Sequence, residues 1–218
     1  MNSAAERRQQ ILDAIARAAR LAKRDPAGVQ LIAVSKGRDA DEIQPLIDAG
    51  QRDFGENRVQ EALAKWPRLL ARYPDIRLHA IGRLQSNKAA EAVKLFDVIH
   101  SLDRQSLLDA LIAEAGKAGH SPAVYVQVNI GDEEQKGGCA IGDVGALVDK
   151  VRDSPLPFLG LMAIPPFGLE PGPYFALLAK LAQRHDVTGL SMGMSGDFKA
   201  AVMLGASAVR VGTALFED

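Results

Sequence analysis

The feature that most limits what this chain can fold into is an alternation that runs its whole length: a short apolar run, then a segment with helical spacing. Parallel strands need a crossover long enough to hold a helix, so the alternation specifies βα units and a parallel sheet. The strand-like runs are 31–36 (LIAVSK), 53–56 (DFGE), 78–82 (LHAIG), 97–101 (DVIHS), 124–130 (VYVQVNI), 158–164 (FLGLMAI), 189–193 (GLSMG) and 208–212 (AVRVG). Helices are expected near 39–48, 57–72, 86–94, 104–118, 142–152, 173–185 and 197–204. One more precedes the first strand at roughly 4–24. There Ile11, Ile15, Ala18 and Ala22 share a face, and Asp25-Pro26-Ala27-Gly28 marks the stop.

Eight strands with short connections in 218 residues predict an α/β fold, a (β/α)8 TIM-type barrel with an extra N-terminal helix, as one domain over 1–218. An open doubly wound sheet is the alternative. Aromatics are only 5% against 47% hydrophobic residues, so the core is mainly aliphatic, as suits strands buried on both faces. No linker, low-complexity segment or exact repeat interrupts the pattern.

The 26 basic and 27 acidic residues leave a net charge of -1, which gives no electrostatic reason to expect nucleic acid or an anionic membrane. No apolar run is long enough to span a bilayer, and MNSAAERRQQ lacks the apolar core of a secretory signal, so a cytoplasmic location is expected. The single cysteine, Cys139, excludes an intrachain disulfide, and nothing near it marks an activated thiol. Histidines at 79, 100, 120 and 185 have no metal-ligand spacing, so no metal site is expected.

Barrels place function at the C-terminal ends of their strands. The first strand ends in Ser35-Lys36, a lysine at the rim of an apolar interior. Desolvation there disfavours the ammonium, and a neutral amine can attack an aldehyde to form an imine. Snorkelling to solvent is the equally good alternative. The seventh strand leads into Ser191-Met192-Gly193-Met194-Ser195-Gly196-Asp197, small residues and hydroxyls just before a helix. Ser195 there could bind an anion or simply cap the helix. The eighth ends in Arg210-Val211-Gly212-Thr213. Loops after strands seven and eight jointly bind phosphate in many barrels, so the two motifs reinforce each other. Arg210 can point into the barrel mouth or serve a structural ion pair. Asn57 could donate to a ligand or cap the next helix, as could Ser86 or Asn87. His79, within an apolar strand, reads as a satisfied core histidine, and Met162, Met192 and Met194 as core unless they line a ligand face.

Taken together, AVSK (33–36), FGENRVQE (54–61), GRLQSNK (82–88), VNIGDEEQKGG (128–138), GLMAI (160–164), LSMGMSGDF (190–198) and VRVGTALF (209–216) resemble, in order and over nearly the whole chain, the pyridoxal phosphate homeostasis proteins. These are single-domain relatives of the alanine racemase barrel. The resemblance implies pyridoxal 5′-phosphate (PLP) as cofactor and Lys36 as its Schiff-base lysine. It implies Ser195, Gly212 and Thr213 as the phosphate cradle with Ser191 nearby, Arg210 facing the pyridine nitrogen, and Asn57 and Met162 lining the ring. Three departures stand out: Gly37-Arg38-Asp39 after the lysine, Ala80 in the third strand, and the ending Phe216-Glu217-Asp218.

An arginine cannot accept a proton, so a ring nitrogen beside Arg210 stays unprotonated and the cofactor is a weaker electron sink. Racemisation also needs an acid/base on each face of the α-carbon. In alanine racemases a tyrosine from a C-terminal domain supplies the second. That domain is expected to be missing here, and Tyr73, Tyr125 and Tyr174 sit in no motif suggesting the role. The resemblance therefore implies a PLP carrier or buffer in intracellular homeostasis, with PLP-dependent enzymes as possible clients and a monomeric state. The alternatives are a PLP-dependent amino-acid racemase of weak or narrow activity, a phosphosugar imine enzyme, and an interaction module with a vestigial site.

Overall fold

The computed structural model describes residues 2–217. Its strands are Gln30–Val34 (β1), Asp53–Glu56 (β2), Arg77–Ala80 (β3), Val98–Leu102 (β4), Ala123–Gln127 (β5), Phe158–Met162 (β6), Leu190–Ser191 (β7) and Ala208–Val211 (β8). They close into a barrel in sequence order, each pair parallel. Closure runs from Gln30 opposite Ala208 to Ala33 opposite Val211, which rules out the open sheet.

The helices are Ala4–Leu21 (α1), Ala40–Asp48 (α2), Val59–Arg72 (α3), Ala89–Leu95 (α4), Gln105–Ala118 (α5), Val144–Arg152 (α6), Gly172–Arg184 (α7), Phe198–Met203 (α8) and Thr213–Phe216 (α9). The first is the expected extra helix. A capping box between Ser3 and Glu6 starts it, and its buried face of Ile11, Ala14, Ile15, Ala18 and Ala19 packs toward α2, α8 and α9. It ends a turn earlier than its spacing suggests, because Lys23 turns left-handed with φ 56°. The short α9 carries no sequence signal of its own and was not expected.

Alternation along the strands sorts the side chains into two sets. Leu31, Ala33, Phe54, Leu78, Ile99, Val126, Leu161 and Val209 belong to the large aliphatic core that includes the buried helix faces. Val98, Tyr125 and Met162 form a separate small cluster inside the barrel. Inward-facing Gly55 abuts Ile32 and Ile81.

Several strands are shorter than expected, and the lost residues include candidate site residues. β1 stops at Val34, leaving Lys36 in the turn formed with Gly37 at φ 69°. β7 spans two residues because Gly193 takes φ 95°, where an added Cβ would press on Ala201 and Phe198. The strand ends thus become loops that reach over the mouth.

Candidate functional site at the barrel mouth

The C-terminal strand ends surround a cavity of about 780 Å³. Lys36, Asn57, Ser195, Arg210, Gly212 and Thr213 line it, bringing together six of the eight residues singled out from sequence. Met162 and Ser191 do not line it. Both are fully buried inside the barrel, one layer deeper. Met162 packs with Val98 and Tyr125, and Ser191 holds Arg210 rather than standing near the cradle. The physical reason is register: the last two residues of β7 lie below the turn at Gly193, whereas Ser195 lies above it.

Lys36 is exposed at the mouth, the solvent-facing of the two settings its sequence context allowed, and not buried against an apolar wall. What is buried is the support of its turn. Glu56 Oε1 accepts from Ser35 Oγ at 2.6 Å, from Trp66 Nε1 at 2.9 Å and from Lys65 Nζ at 2.8 Å. Lys65 Nζ also donates to the carbonyls of Ser35 and Arg38, each at 2.8 Å. Gly37 N–H donates to the Glu61 carboxylate. Backbone on both sides of Lys36 is therefore tied to one buried ion pair between β2 and α3. Sequence reasoning missed Glu56, Lys65 and Trp66, because their roles exist only once α3 lies on β2.

On the opposite side, Ser195 Oγ accepts from the backbone N–H of Gly212 at 3.2 Å and of Ala214 at 3.5 Å. Ser195 is not the helix cap. The N-cap of α8 is Asp197, which makes no side-chain cap bond there and instead accepts from Met194 N–H at 2.6 Å. Two N–H groups at the start of α9, just after β8, thus converge on one acceptor oxygen, at lengths that make weak bonds. Capping also fails for the other candidates. The N-cap of α3 is Arg58 with no side-chain bond, which leaves Asn57 facing the cavity. Ser86 Oγ accepts from Arg104 at 3.2 Å, and no side chain caps the short 3-10 turn at Ser86–Lys88. Gly82 is required where β3 exits, since an added Cβ would strike the Asn57 carbonyl.

Arg210 is 3% exposed and makes no ion pair among the described residues. Its Nη1 donates to Ser191 Oγ at 2.5 Å and its Nη2 to the Ala163 carbonyl at 3.0 Å. Burial lowers its pKa to about 10, so it stays charged at neutral pH. The cavity lining carries five cationic residues, Lys36, Arg38, Arg83, Lys136 and Arg210, against one carboxylate, Glu217. A chain of net charge -1 has gathered positive potential at this mouth.

Two of the sequence departures meet on the rim. Arg38 pairs with Glu217 and, at 2.9 Å, with Glu42, and its guanidinium lies 5.4 Å from the Phe216 ring centre. Asp218 lies outside the described residues. None of the three tyrosines lines the cavity: Tyr73 Oη accepts from Gln44 at 2.8 Å, Tyr125 stacks on His100 inside the barrel, and Tyr174 lies on α7. His79 is a bonded core residue, 3.0 Å from both Asp53 and His100. Cys139 is buried, and burial, aided by Asp103 and Asp143, pushes its thiol up to about 12. Among the described residues no group of three or more His, Cys, Asp or Glu could hold a metal. No helix of the described residues is long and apolar enough to cross a membrane.

A closed parallel barrel with a lysine just past β1 and converging N–H groups after β8 defines a class, the alanine racemase N-terminal domain, whose family model matches residues 10–218. Within it, the chain is 42% identical over 223 aligned residues to the pyridoxal phosphate homeostasis protein of Pseudomonas aeruginosa, covering 99% of this chain and 96% of that one. PipY of Synechococcus elongatus, in a structure with PLP bound, shares 42% identity at a TM-score of 0.80, over 93% of this chain and 99% of that one. The chain belongs to the pyridoxal phosphate homeostasis protein family. Alanine racemase from Acinetobacter baumannii shares the fold alone, with a TM-score of 0.71 at 14% identity over 94% of this chain and 59% of the racemase.

Proposed function

We propose that this barrel binds PLP as a Schiff base on Lys36 and acts in intracellular PLP homeostasis rather than as an efficient catalyst. The observation that carries the reading is the meeting, in one cavity, of a primary amine without a partner among the described residues, converging backbone N–H groups and a guanidinium charged at neutral pH. PLP, when bound, supplies an aldehyde that condenses with an amine, and a ring that withdraws electrons.

The residues present fit that group. Ser195 Oγ already occupies the position of an anionic oxygen on the Gly212 and Ala214 N–H groups, and its long bonds yield readily to a phosphate, with Thr213 adding a second hydroxyl. Lys36 stands free across the cavity. Asn57 lines the side between them. Arg210 can only donate, so it would keep a ring nitrogen placed against it unprotonated, as an acceptor. Met162 and Ser191 act from beneath, as packing and as support for Arg210. That reading favours storage over turnover. The tyrosine positions agree with it, since none could serve as acid/base on the face opposite Lys36, and so does the name shared by the relatives.

On this reading the protein is a monomer working in the cytoplasm, handing PLP to client enzymes. The test is the visible absorption of the purified protein, wild type beside Lys36→Ala, with PLP added and then borohydride. A Schiff-base band in the wild type, fixed by reduction to the peptide containing Lys36 and missing from the variant, is the expected result. A wild type that takes up no PLP overturns the reading.

A further inference from the structure

A polar chain crosses the barrel interior from its N-terminal floor to the cavity. Asp53 Oδ1, at the start of β2, accepts from Gln30 Nε2 at 2.8 Å and lies 3.0 Å from His79 Nε2. His79 Nδ1 is 3.0 Å from His100 Nε2, and His100 Nδ1 is 2.8 Å from Ser191 Oγ. Ser191 Oγ accepts from Arg210 Nη1, and Arg210 lines the cavity. His79, His100, Ser191 and Arg210 are each 3% exposed or less, so no bulk water completes these bonds.

The two ends dictate the direction of every proton. A carboxylate only accepts and a guanidinium only donates. Burial works to raise Asp53, but the hydrogen bond from His79, with help from Gln30 and Arg77, brings it below its ordinary value, so it is ionised. Burial lowers His79 against the pull of Asp53, and Arg77 and Asp97 add smaller opposing effects. Burial, then His79 and Arg210, hold His100 well below its ordinary value. Both imidazoles are therefore neutral, with one N–H each. From the floor, His79 must give its Nε2–H to Asp53, so its Nδ1 accepts Nε2–H from His100. His100 Nδ1 must then accept the Ser191 hydroxyl proton. From the cavity, Ser191 Oγ accepts from Arg210 and keeps its own proton to give to His100 Nδ1. The two routes meet with no bond lacking a proton and none holding two.

We propose that Asp53, His79, His100 and Ser191 form a one-way hydrogen-bonded chain that positions Arg210 and relays to it the countercharge of a carboxylate on the barrel floor. Asp197 acts on Arg210 through space, but the two form no ion pair. A buried charge without a bonded partner is costly, and polarised bonds in a low-dielectric interior strengthen one another, so the chain adds to the support that Asp197 gives. A carboxylate beside the guanidinium would offset its charge at the cavity, whereas a distant one leaves the cavity face positive. These four are positioning residues, and their effect on bound PLP rests on the function proposed above.

The test separates the two. Nitrogen NMR of the ¹⁵N-histidine-labelled protein without PLP should show His79 and His100 both neutral and both as the Nε2–H tautomer, through the pH range in which an exposed histidine titrates. An Nδ1–H tautomer or an imidazolium at either residue overturns the chain, whatever PLP does. In the PLP-loaded protein, Ser191→Ala should shift the visible band and Ser191→Thr should restore it. Asp53→Asn, at the far end, should shift it the same way by less, and tests the relay even if Ser191→Ala does not fold. Wild-type bands in both Ser191→Ala and Asp53→Asn would overturn the positioning role. A protein that binds no PLP but shows the expected tautomers would sink the proposed function and leave the chain standing.

Discussion

Lys36 and Lys65 serve the same turn and have opposite surroundings. Lys65 reaches up from α3 on the outer face of the barrel, with its side chain 8% exposed, and its ammonium donates to the Ser35 carbonyl, the Arg38 carbonyl and Glu56 Oε1. Its three donors are all used. Lys36 lies on the inner side of the same turn, exposed, with no hydrogen bond or ion pair among the described residues. One lysine is structure and the other is left without a partner among the described residues. The difference teaches that an available amine needs a rigid turn, and here a second lysine supplies the rigidity.

The comparison can be broken at its buried side first. Glu56→Ala would strand the Lys65 charge and leave Trp66 Nε1 and Ser35 Oγ unbonded, and should cost about 3–5 kcal/mol in urea denaturation. A loss near zero would show that water reaches the pair and that the turn is held otherwise. Asp53 provides the next test, through pH. Its folded pKa is below the ordinary value, so its contribution to stability is present above the ordinary carboxylate range and disappears as pH falls through the folded value. The denaturation midpoints of wild type and Asp53→Asn should therefore separate at neutral pH and converge in acid. A gap that widens in acid contradicts the assignment.

At the exposed lysine the effect on stability should be small. Lys36→Ala is expected to change unfolding free energy by no more than about 0.5 kcal/mol while removing all PLP that borohydride can fix. Strong destabilisation would mean that Lys36 is structural after all. Smallest of all is the rim pair of Arg38 and Glu217, which is exposed and screened by salt. Glu217→Gln should leave the melting temperature nearly unchanged and, by removing the one carboxylate from a cationic mouth, slow release of the anionic PLP in a dialysis or dilution assay. Equal release rates would confine the pair to the surface.

Much of the fold was legible because it follows from local patterns. The aliphatic runs, the helical spacing between them and punctuation such as Asp39 before α2 put all eight strands and their order within reach. Strand ends were less legible. Nothing in Ser191-Met192-Gly193 announces that β7 stops after two residues, since Gly193 acts only through the backbone angle it adopts against Phe198 and Ala201. That one turn separates Ser195, which reaches the cavity, from Ser191, which does not. Likewise, Lys36 stood out by its place after an apolar run, but only the fold decided between the desolvated and the solvent-facing setting, in favour of the second.

By itself the sequence determined the barrel, the gathering of Lys36, Ser195, Gly212 and Arg210 at strand ends, and the family. These depend on residue order and on a strand-to-helix rhythm that short-range sterics and hydrophobic burial enforce. Only the tertiary structure decided which side chains share a proton. Asp53, His79, His100, Ser191 and Arg210 come from five different strands, and Glu56 meets Lys65 only across a strand–helix contact. Hydrogen bonds are decided by separations of about 3 Å between atoms, and closure of the barrel is what brings residues distant in sequence to that range.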